Sequence, residues 1–325
     1  MPRISVLMPV YNGMPYITEA VESVLAQEEQ NWELVISDNG STDSTRAYLS
    51  TLRDPRIRVH LQQGNLGIFG NMNFLMQQTQ ASIAKILCAD DKLLPDALTK
   101  VAEFMEERPW CALSRCWGVG DVERFAPHKY HALEGALPSQ LFPQAAVLAF
   151  ATFGNLVGNL SKAACRPQMV QQVGSFNQQF PYAGDYEAWT RVAMQFGIGL
   201  QNVELIFERI HNHQNSVLLN KKNEIYPQLN KLLEILASKI PERERSIIKR
   251  HWTIHFLAPR LSRSFKQILA GEYRLARGAL IELPLNISAW SVVAAYLVWK
   301  FNFLPARTTT RKLSNRILEL NQGNT

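Results

Sequence analysis

Short apolar runs alternate with helical patterns along the first 118 residues, and this alternation constrains the fold more than any other feature. Strands are predicted at Ile4–Met8, Trp32–Ser37, Ile57–Leu61 and Ile83–Cys88. Between the first two, apolar residues recur at helical spacing from Ile17 to Leu25, and residues 67–80 also have a helical pattern. Strands that alternate with helices form mostly parallel sheets with helices on both faces. The sequence therefore predicts an α/β fold.

The rest of the chain divides into a region without clear periodicity and a helical region. Residues 119–180 give no regular pattern, and loops this long are often functional. A helix is predicted near Asp185, Gly199–Phe207 resembles a strand, and the chain beyond residue 224 is predicted to be almost wholly helical. We therefore predict two domains, at residues 1–222 and 223–325.

Charge is distributed unevenly between these regions. Residues 1–239 hold 20 Lys/Arg and 23 Asp/Glu, whereas residues 240–325 hold 14 Lys/Arg and 5 Asp/Glu. A basic tail of this kind indicates an anionic partner, either nucleic acid or an anionic membrane surface. The four cysteines form no CxxC pair, which favours a reducing compartment. The amino terminus has no signal-peptide layout, so we expect a cytoplasmic protein.

Two adjacent carboxylates, Asp90 and Asp91, end the fourth predicted strand within Ser82–Pro95. Ligands of open α/β sheets bind at the carboxyl ends of the strands. Two acids there suit Mg²⁺ or Mn²⁺, which take oxygen ligands. The alternative is a plain acidic turn before a helix, which we predict to carry Pro95 in its first turn.

Polar residues also follow the first two strands. The segment Pro9–Gly13 and the pair Asp38 and Asn39 stand where a base or a ribose could be contacted. An ordinary strand-to-helix turn is the alternative for the first, since Asx and Ser residues favour turns and caps. Asn65-Leu66-Gly67 with Gly70 and Asn73 fits a loop that approaches phosphate, because glycine permits close backbone contact. Neither GxGxxG nor a Walker lysine is present.

Two further segments carry chemistry-bearing residues. Asp185, in Gly184–Trp189, is predicted at a helix amino terminus, where a carboxylate is favoured by the helix dipole. Its alternatives are a helix cap and a general base that projects into a cleft. The basic trio within Arg209–His213 follows a predicted strand and could contact a diphosphate or complete a metal shell.

Six ordered motifs resemble the family 2 glycosyltransferases of the inverting GT-A type, over about residues 3–217. They read ISVLMPVYNG, VISDNGSTDST, NLGIFGNMN, LCADDKLLPDAL, VGSFNQQFPYAGDYEAWTRVA and RIHNHQNSV. The resemblance implies a Rossmann-like sheet that binds a nucleotide-sugar, with a helical carboxyl-terminal region.

The resemblance also implies roles for individual residues. Those that would bind the nucleotide are Pro9, Tyr11, Asn12, Asp38, Asn39, Gly67, Asn73, Ala89 and Asp90. Asp90 matches the last acid of the DxD motif, which ligates the metal, while Asp91 and His211 are further candidate ligands. Asp185 matches the acid that deprotonates the acceptor. The sequence departs from the pattern at Cys88, where the first acid of DxD is expected, and at Gly184, where an acid commonly precedes the base.

The implied activity is metal-dependent transfer of a sugar, with inversion, to a hydroxyl of a glycan or lipid-linked acceptor. A UDP-sugar is the favoured donor, with dTDP- and GDP-sugars as alternatives, and Mg²⁺ or Mn²⁺ is the cofactor. The two departures leave open a catalytically silent nucleotide-sugar or glycan-binding component of an assembly complex. No recognised nucleic-acid-binding module is present, so we do not expect nucleic acid as a partner.

The basic tail fits a membrane-surface segment. Leu283–Trp299 is an uncharged run of 17 residues, shorter than the roughly 20 that a spanning helix needs. Aromatic residues within it and cations on both sides favour in-plane binding to an anionic membrane. The expected location is then peripheral, at the inner face of the cell membrane. A helical subdomain that packs on the catalytic core is the alternative.

Overall fold

The computed structural model describes residues 1–119, 137–209, 225–274, 276, 287–300 and 304–322. The chain forms two compact units, the first from Met1–Pro143 with Asn155–Arg209, and the second from Gln144–Gly154 with the residues after Arg209. The predicted domain boundary at residues 222 and 223 lies outside the described residues and stays a prediction. One helix of the second unit comes from the stretch at 119–180 that carried no clear sequence pattern.

The first unit is built on a mixed sheet. Among the described residues nine strands are present: β1 Ile4–Val10, β2 Trp32–Asp38, β3 Ile57–Leu61, β4 Ala84–Ile86, β5 Lys92–Leu93, β6 Leu113–Gly118, β7 Gln140–Leu141, β8 Ala163–Cys165 and β9 Ile198–Phe207. Their order is β3-β2-β1-β4-β8-β6-β9-β5, and β7 also pairs with β9. Strands β1 to β4, β6 and β9 run in one direction, while β5, β7 and β8 run in the other. The predicted mostly parallel α/β sheet is confirmed.

The helices follow in chain order. They are α1 Ile17–Leu25, α2 Thr45–Leu49, α3 Gly67–Gln78, α4 Ala97–Glu106, α5 Pro143–Phe153, α6 Pro167–Gln172, α7 Gly184–Phe196, α8 Ile225–Lys239, α9 Glu242–Trp252, α10 Ala258–Leu269, α11 Ala289–Lys300 and α12 Leu304–Gln322. Helix α1 illustrates why they form, because Ile17, Ala20, Val21 and Val24 make one buried stripe at helical spacing. The same side chains pack against the sheet, so local pattern and core agree.

The core of the first unit lies around β1 and β2. Both strands are almost entirely buried, as expected for central strands covered on both faces. Ile4, Val6, Met8 and the neighbouring Leu34 belong to one apolar cluster with α1 and α4. This rigid centre fixes the positions of the loops that follow β1, β2 and β4 at one edge of the sheet.

The turn after β4 corrects two expectations. Strand β4 ends at Ile86 rather than at Cys88, because the N–H of Cys88 donates to Ser161 Oγ (2.8 Å) instead of continuing a ladder. Pro95 is not in the first turn of the next helix: β5 intervenes and α4 begins at Ala97, after Asp96. Asp90 and Asp91 therefore lie on a turn between two strands.

The second unit is helical in its described residues. Helices α9 and α10 are joined by a π-helical turn, Thr253–Leu257, and Pro259 follows it. Proline has no N–H to donate to the carbonyl four residues before it, and such a loss commonly accompanies a local change of helix type. His251 Nε2 lies 2.8 Å from Thr152 O, which connects α9 to α5. None of the described helices is long and apolar enough to cross a bilayer.

Candidate active site

The loops after β1 and β2 are hydrogen-bonded to each other. The N–H of Asn12, a residue with φ of 52°, donates to Ser41 Oγ (2.8 Å), and Asn12 Oδ1 accepts from the Thr42 N–H (2.8 Å). Asn12, a predicted nucleotide-binding residue, thus holds the loop through both its backbone N–H and its side-chain oxygen. Its neighbour Tyr11 is 51% exposed, and Pro9 is partly buried at the end of β1. Tyr11 and Asn12 are both exposed and can offer surface to a ligand.

Asp38 and Asn39 are both buried at the carboxyl end of β2. Asp38 has no exposed surface and accepts from Arg46 Nε (2.6 Å) and from the Ser41 N–H. Asn39 Oδ1 accepts from the Leu66 N–H (2.8 Å), and its amide nitrogen donates to Asn65 Oδ1 (2.9 Å). These contacts fix the loops around the edge of the sheet. Direct contact of either residue with a nucleoside stays a prediction.

Two residues of the predicted phosphate loop, Gly67 and Asn73, have different surroundings. Gly67 starts α3 with φ of +72°, is exposed, and has open space where a Cβ would stand. Asn73 lies further along α3, and its amide exchanges two hydrogen bonds with the backbone of Phe176, both 2.8 Å. The structure thus gives Asn73 a packing contact, whereas Gly67 stays at the open end of the loop.

The acidic turn after β4 groups Cys88, Asp90 and Asp91. Their potential ligand atoms all lie within 4.8 Å of one another. Asp91 is buried: its Oδ1 accepts from the Arg209 N–H (3.0 Å) and its Oδ2 from Asn159 Nδ2 (3.2 Å). Burial, together with the neighbouring Asp90, raises the pKa of Asp91 to about 6. Asp90 is partly exposed, so it presents the more accessible carboxylate, and Ala89 before it is buried.

This donor set fits a hard divalent cation at its carboxylates and not at its thiol. Desolvation and the two acids raise the pKa of Cys88 well above its ordinary value, so the thiol stays protonated at neutral pH. Mg²⁺ is commonly held by one or two carboxylates, with water and substrate phosphates completing its shell. Asp90 meets that requirement, while the oxygens of Asp91 already accept hydrogen bonds. The other predicted ligand, His211, lies outside the described residues.

Two residues after β9 connect this turn to its surroundings. Arg209 donates from Nε to the Asp90 carbonyl (3.1 Å) and from its guanidinium to Glu19 (3.0 Å). Glu208 accepts from Asn159 Nδ2 (2.9 Å) and pairs with Lys162 (3.1 Å). The guanidinium of Arg209 is therefore directed at Glu19 on α1, where it helps to hold the acidic turn. Asn159 and Lys162 carried no sequence signal, since neither belongs to a periodic pattern or a motif.

Asp185 lies in the first turn of α7, as predicted. It is partly buried, and Asn155 Nδ2 donates to its Oδ2 (3.0 Å). Burial raises the pKa of Asp185 to about 6, against the hydrogen bonds from Asn155 and from the Tyr186 backbone, which lower it. A carboxyl with this pKa is mostly ionised at pH 7 and can still accept a proton, as a general base must. Asn155 was not identified from the sequence.

Gly184, the departure beside Asp185, has a packing explanation. A Cβ at this position would lie 2.6 Å from Cε2 of Phe69. Phe69 is buried and stacks on Phe176 at a centroid distance of 5.5 Å, and Phe176 contacts Trp189 edge-on at 5.1 Å. The aromatic cluster thus occupies the space that an acid at position 184 would need.

Replacing Gly184 with alanine is expected to lower the free energy of unfolding by about 1–3 kcal/mol, the usual cost of overpacking. Urea denaturation of the variant and the wild type measures this difference. The double variant Gly184→Ala with Phe69→Leu is expected to recover part of the loss, because leucine frees the ring's space. An unchanged urea midpoint for Gly184→Ala would show that Phe69 does not limit this position.

Two relatives are described as glycosyltransferases with a stated pathway or reaction. The chain is 40% identical over 115 residues to TuaG, a glycosyltransferase assigned to teichuronic acid biosynthesis in Bacillus subtilis (strain 168), covering 35% of this chain and 45% of TuaG. It is 26% identical over 238 residues to the Escherichia coli UDP-Glc:alpha-D-GlcNAc-diphosphoundecaprenol beta-1,3-glucosyltransferase WfaP, covering 72% of this chain and 87% of WfaP. The chain therefore spans less than half of the length of TuaG and most of WfaP.

Solved structures with the same fold extend over nearly the whole chain. S. aureus TarS 1–349 in complex with UDP-GlcNAc has a TM-score of 0.60 at 15% identity, covering 98% of this chain and 92% of that one. The mannosyltransferase PcManGT from Pyrobaculum calidifontis, in complex with GDP-Man and Mn²⁺, has a TM-score of 0.57 at 17% identity, covering 99% and 87%. These likenesses establish the GT-A fold that the sequence resemblance implied.

The first strands and their loops match a known family model. The family model for glycosyl transferase family 2 matches residues 5–164. This range contains the loops after β1 and β2 and the acidic turn with Asp90. Over these residues, the chain is similar to glycosyl transferase family 2.

Proposed function

We propose that this protein is a metal-dependent inverting glycosyltransferase that moves a sugar from a nucleotide-diphosphate donor to a hydroxyl of a glycan or lipid-linked acceptor. The observation that carries the proposal is the acidic turn with Asp90, at the same sheet edge as the interlocked loops after β1 and β2. Ligands of parallel α/β sheets bind at this edge. The descriptions of TuaG and WfaP support a role in cell-envelope polysaccharide synthesis.

Asp185 acts as the general base. Its carboxylate takes the proton of the acceptor hydroxyl, and the hydroxyl oxygen forms a bond to the anomeric carbon while the bond to the diphosphate breaks. Attack from the face opposite the leaving group inverts the anomeric configuration. Because the pKa of Asp185 is raised to about 6, the carboxylate is a stronger base than an ordinary aspartate and remains ionised above that pH.

Asp90 would hold the divalent metal, with Asp91 and His211 as further candidate ligands. A bound Mg²⁺ or Mn²⁺ supplies Lewis-acid stabilisation of charge on the leaving diphosphate. Asp91 keeps the turn in shape through Arg209 and Asn159, and Arg209 braces the same turn against Glu19. The chain thus presents the Asp90 carboxylate on a backbone that is fixed from several sides.

The donor is proposed to be a UDP-sugar, with dTDP- and GDP-sugars as the alternatives. WfaP uses UDP-Glc by its description, TarS 1–349 binds UDP-GlcNAc, and PcManGT binds GDP-Man. The half-exposed side chain of Tyr11, directly after β1, supports a contact with the nucleoside. Gly67 leaves open space at the start of α3 where phosphate oxygens could approach the backbone.

A nucleotide panel tests the proposal. Thermal unfolding is measured with UDP, dTDP and GDP, and with their sugar conjugates, each with and without Mn²⁺. A ligand at about 100 times its dissociation constant adds roughly 2.7 kcal/mol to the free energy of unfolding. We expect a metal-dependent shift with one nucleotide class and transfer from the matching sugar conjugate. Stabilisation by nucleotide without turnover would favour the catalytically silent binding component. The protonated thiol of Cys88 and the glycine at position 184 are the two features that support this alternative.

An anionic membrane surface is the proposed partner of the second unit. Helix α11 packs on α10 through Val292 and Ala295, and its opposite side exposes Trp290 (82%), Val293 and Leu297 at helical spacing. Helix α10 also exposes apolar residues, among them Phe265 and Leu269 (88%). Exposed cations accompany them on and after α10: Arg263, Lys266 and Arg274. An apolar face with flanking cations is typical of in-plane binding to anionic lipids.

Vesicle flotation tests this partner. The wild type is expected to float with phosphatidylglycerol vesicles and much less with phosphatidylcholine vesicles, because each cation near an anionic surface contributes about 1 kcal/mol. Trp290→Ser with Leu297→Ser should abolish flotation, since burying one large apolar side chain contributes about 1.5–3 kcal/mol. Leu318→Ser, at an exposed leucine of α12, is the matched control. Wild-type protein that stays in the bottom fraction with anionic vesicles would favour the helical-subdomain alternative.

A further inference from the structure

Residues 155–161, here called the tether segment, contact both acidic parts of the candidate active site. At its start, Asn155 Nδ2 donates to Asp185 Oδ2 (3.0 Å) and to the Gly158 carbonyl (3.2 Å), while Asn155 Oδ1 accepts from the Val157 N–H (3.2 Å). The amide is therefore held by its own segment while it contacts the carboxylate. Because these contacts orient the Asn155 amide, the amide can hold the Asp185 carboxylate in one orientation.

The other end of the tether segment contacts the acidic turn. Asn159 Nδ2 donates to Asp91 Oδ2 (3.2 Å), and Asn159 Oδ1 accepts from the Ser161 N–H (2.9 Å). Ser161 Oγ in turn accepts from the Cys88 N–H (2.8 Å), two residues before Asp90. Asn155, which contacts Asp185, thus lies only four positions before Asn159, which contacts the acidic turn.

We propose that Asn155 and Asn159 are positioning residues, and that the tether segment sets the placement of Asp185 relative to the turn that carries Asp90. The inference rests on the proposed function, since it assumes that Asp185 is the base and that Asp90 holds the metal. The contacts of the tether segment to Asp185, Asp91 and Glu208 are all made by the side-chain amides of its two asparagines. Such an amide donates to a carboxylate without adding a charge.

The contact from Asn155 has a chemical consequence for Asp185. A donor to a carboxylate favours the charged form and so opposes the effect of burial. Among the described residues, the groups that lower the pKa of Asp185 are the Asn155 amide and the N–H groups of Asp185 and Tyr186, and none of them is charged. Removing the amide should therefore raise the pKa of Asp185 further, because one of the hydrogen bonds that oppose the effect of burial is lost.

Asn155→Asp is the sharpest test, because it keeps the shape, removes the donor and places a second carboxylate beside Asp185. The acid limb of the kcat/KM profile should move up by about one pH unit or more, and the rate at pH 7 should fall about twofold or more. Asn155→Ala should move the limb in the same direction by less. Asn177→Asp, an equivalent change on a loop of the same unit, should leave the profile unchanged.

A direct titration separates this inference from the proposed function. The ¹³C carboxyl resonance of Asp185, assigned by its loss in Asp185→Asn, is followed against pH in the wild type, Asn155→Ala and Asn155→Asp. Higher midpoints in both variants would support the positioning role even if no sugar transfer were found. A wild-type midpoint in Asn155→Asp would overturn it even in an active enzyme.

A double-mutant cycle tests whether the two asparagines act through one segment. If they do, Asn155→Ala with Asn159→Ala should lose little more activity than the worse single variant, because either change already releases the tether. Rate losses that multiply, for example two tenfold losses giving a hundredfold loss, would mean that the residues act independently. That result would overturn the tether as a single positioning device.

Discussion

Asp185→Asn is expected to lower sugar transfer by about 10²–10⁴-fold, the usual contribution of a general base, and to leave donor binding intact. The amide keeps the shape of the side chain and can still accept from Asn155, so the fold around α7 should not change. Initial rates and the thermal shift with nucleotide measure the two quantities separately. In the wild type, activity should also fall as the pH drops below about 6, because burial raises the pKa of Asp185 to about 6 and the protonated acid is no base.

The same substitution is expected to stabilise the protein at neutral pH. The pKa of Asp185 is raised by burial from 3.8 to about 6, so the folded state holds the proton more tightly than the unfolded state. Stability from this group is then present at low pH and is lost as the pH rises from about 4 through 6. A rise of about two units corresponds to roughly 3 kcal/mol, which is an upper limit on the gain in Asp185→Asn at pH 7.5.

Denaturation at several pH values measures that gain. The difference between variant and wild type should shrink towards pH 4, where the wild-type carboxyl is protonated in the folded state. Glu103→Gln, at an exposed acid on α4, is the control for simple loss of a charge. Near-normal turnover in Asp185→Asn would exclude the base role. A variant less stable than the wild type at pH 7.5 would mean that the carboxylate is not penalised by burial.

Asp90→Asn is expected to remove the metal-dependent part of nucleotide binding. An amide is a weaker ligand for a hard cation than a carboxylate, and Asp90 is the partly exposed acid of its turn. With UDP at about 100 times its wild-type dissociation constant, the stabilisation of roughly 2.7 kcal/mol should fall to the value seen without Mn²⁺. Transfer should fall with it, since leaving-group stabilisation is lost.

The unliganded protein provides the control for Asp90→Asn. Arg209 holds the turn through the backbone carbonyl of Asp90 and not through the side chain. The melting temperature of Asp90→Asn without ligand should therefore be close to that of the wild type. A full Mn²⁺-dependent shift in Asp90→Asn would place the metal elsewhere. A loss of unliganded stability would instead indicate that the carboxylate shapes the turn, as Asp91 does.

Most of the sheet and the order of the candidate site residues could be predicted from the sequence. The strands β1, β2, β3 and β9 and the helices α1, α3 and α7 fall within a few residues of their predicted bounds. These elements are encoded by spacing along the chain, because buried side chains recur every two residues in a strand and every three to four in a helix. Asp185 was placed correctly in a first helical turn for the same local reason.

Other features of the site depend on hydrogen-bond partners that the local sequence does not indicate. The end of β4 was misplaced because Ser161, 73 residues away, takes the N–H of Cys88. The contact of Asp38 with a nucleoside stays a prediction, but the sequence did not indicate that its carboxylate accepts from Arg46 and from the Ser41 N–H. No pattern in the local sequence announces such a partner, because a polar side chain before a turn looks the same whether it faces solvent or a guanidinium.

The sequence by itself determined the alternation of strands and helices, the family motifs and the charge of the tail, since each depends on neighbours along the chain. Only the tertiary structure decided that Phe69 excludes an acid at position 184, and that Asn155 and Asn159 contact Asp185 and Asp91 across 30 and 68 residues. Contacts over such distances exist only after the whole sheet has packed. Their partners are set by the minimum of the total free energy, to which every buried residue contributes, and not by any local pattern.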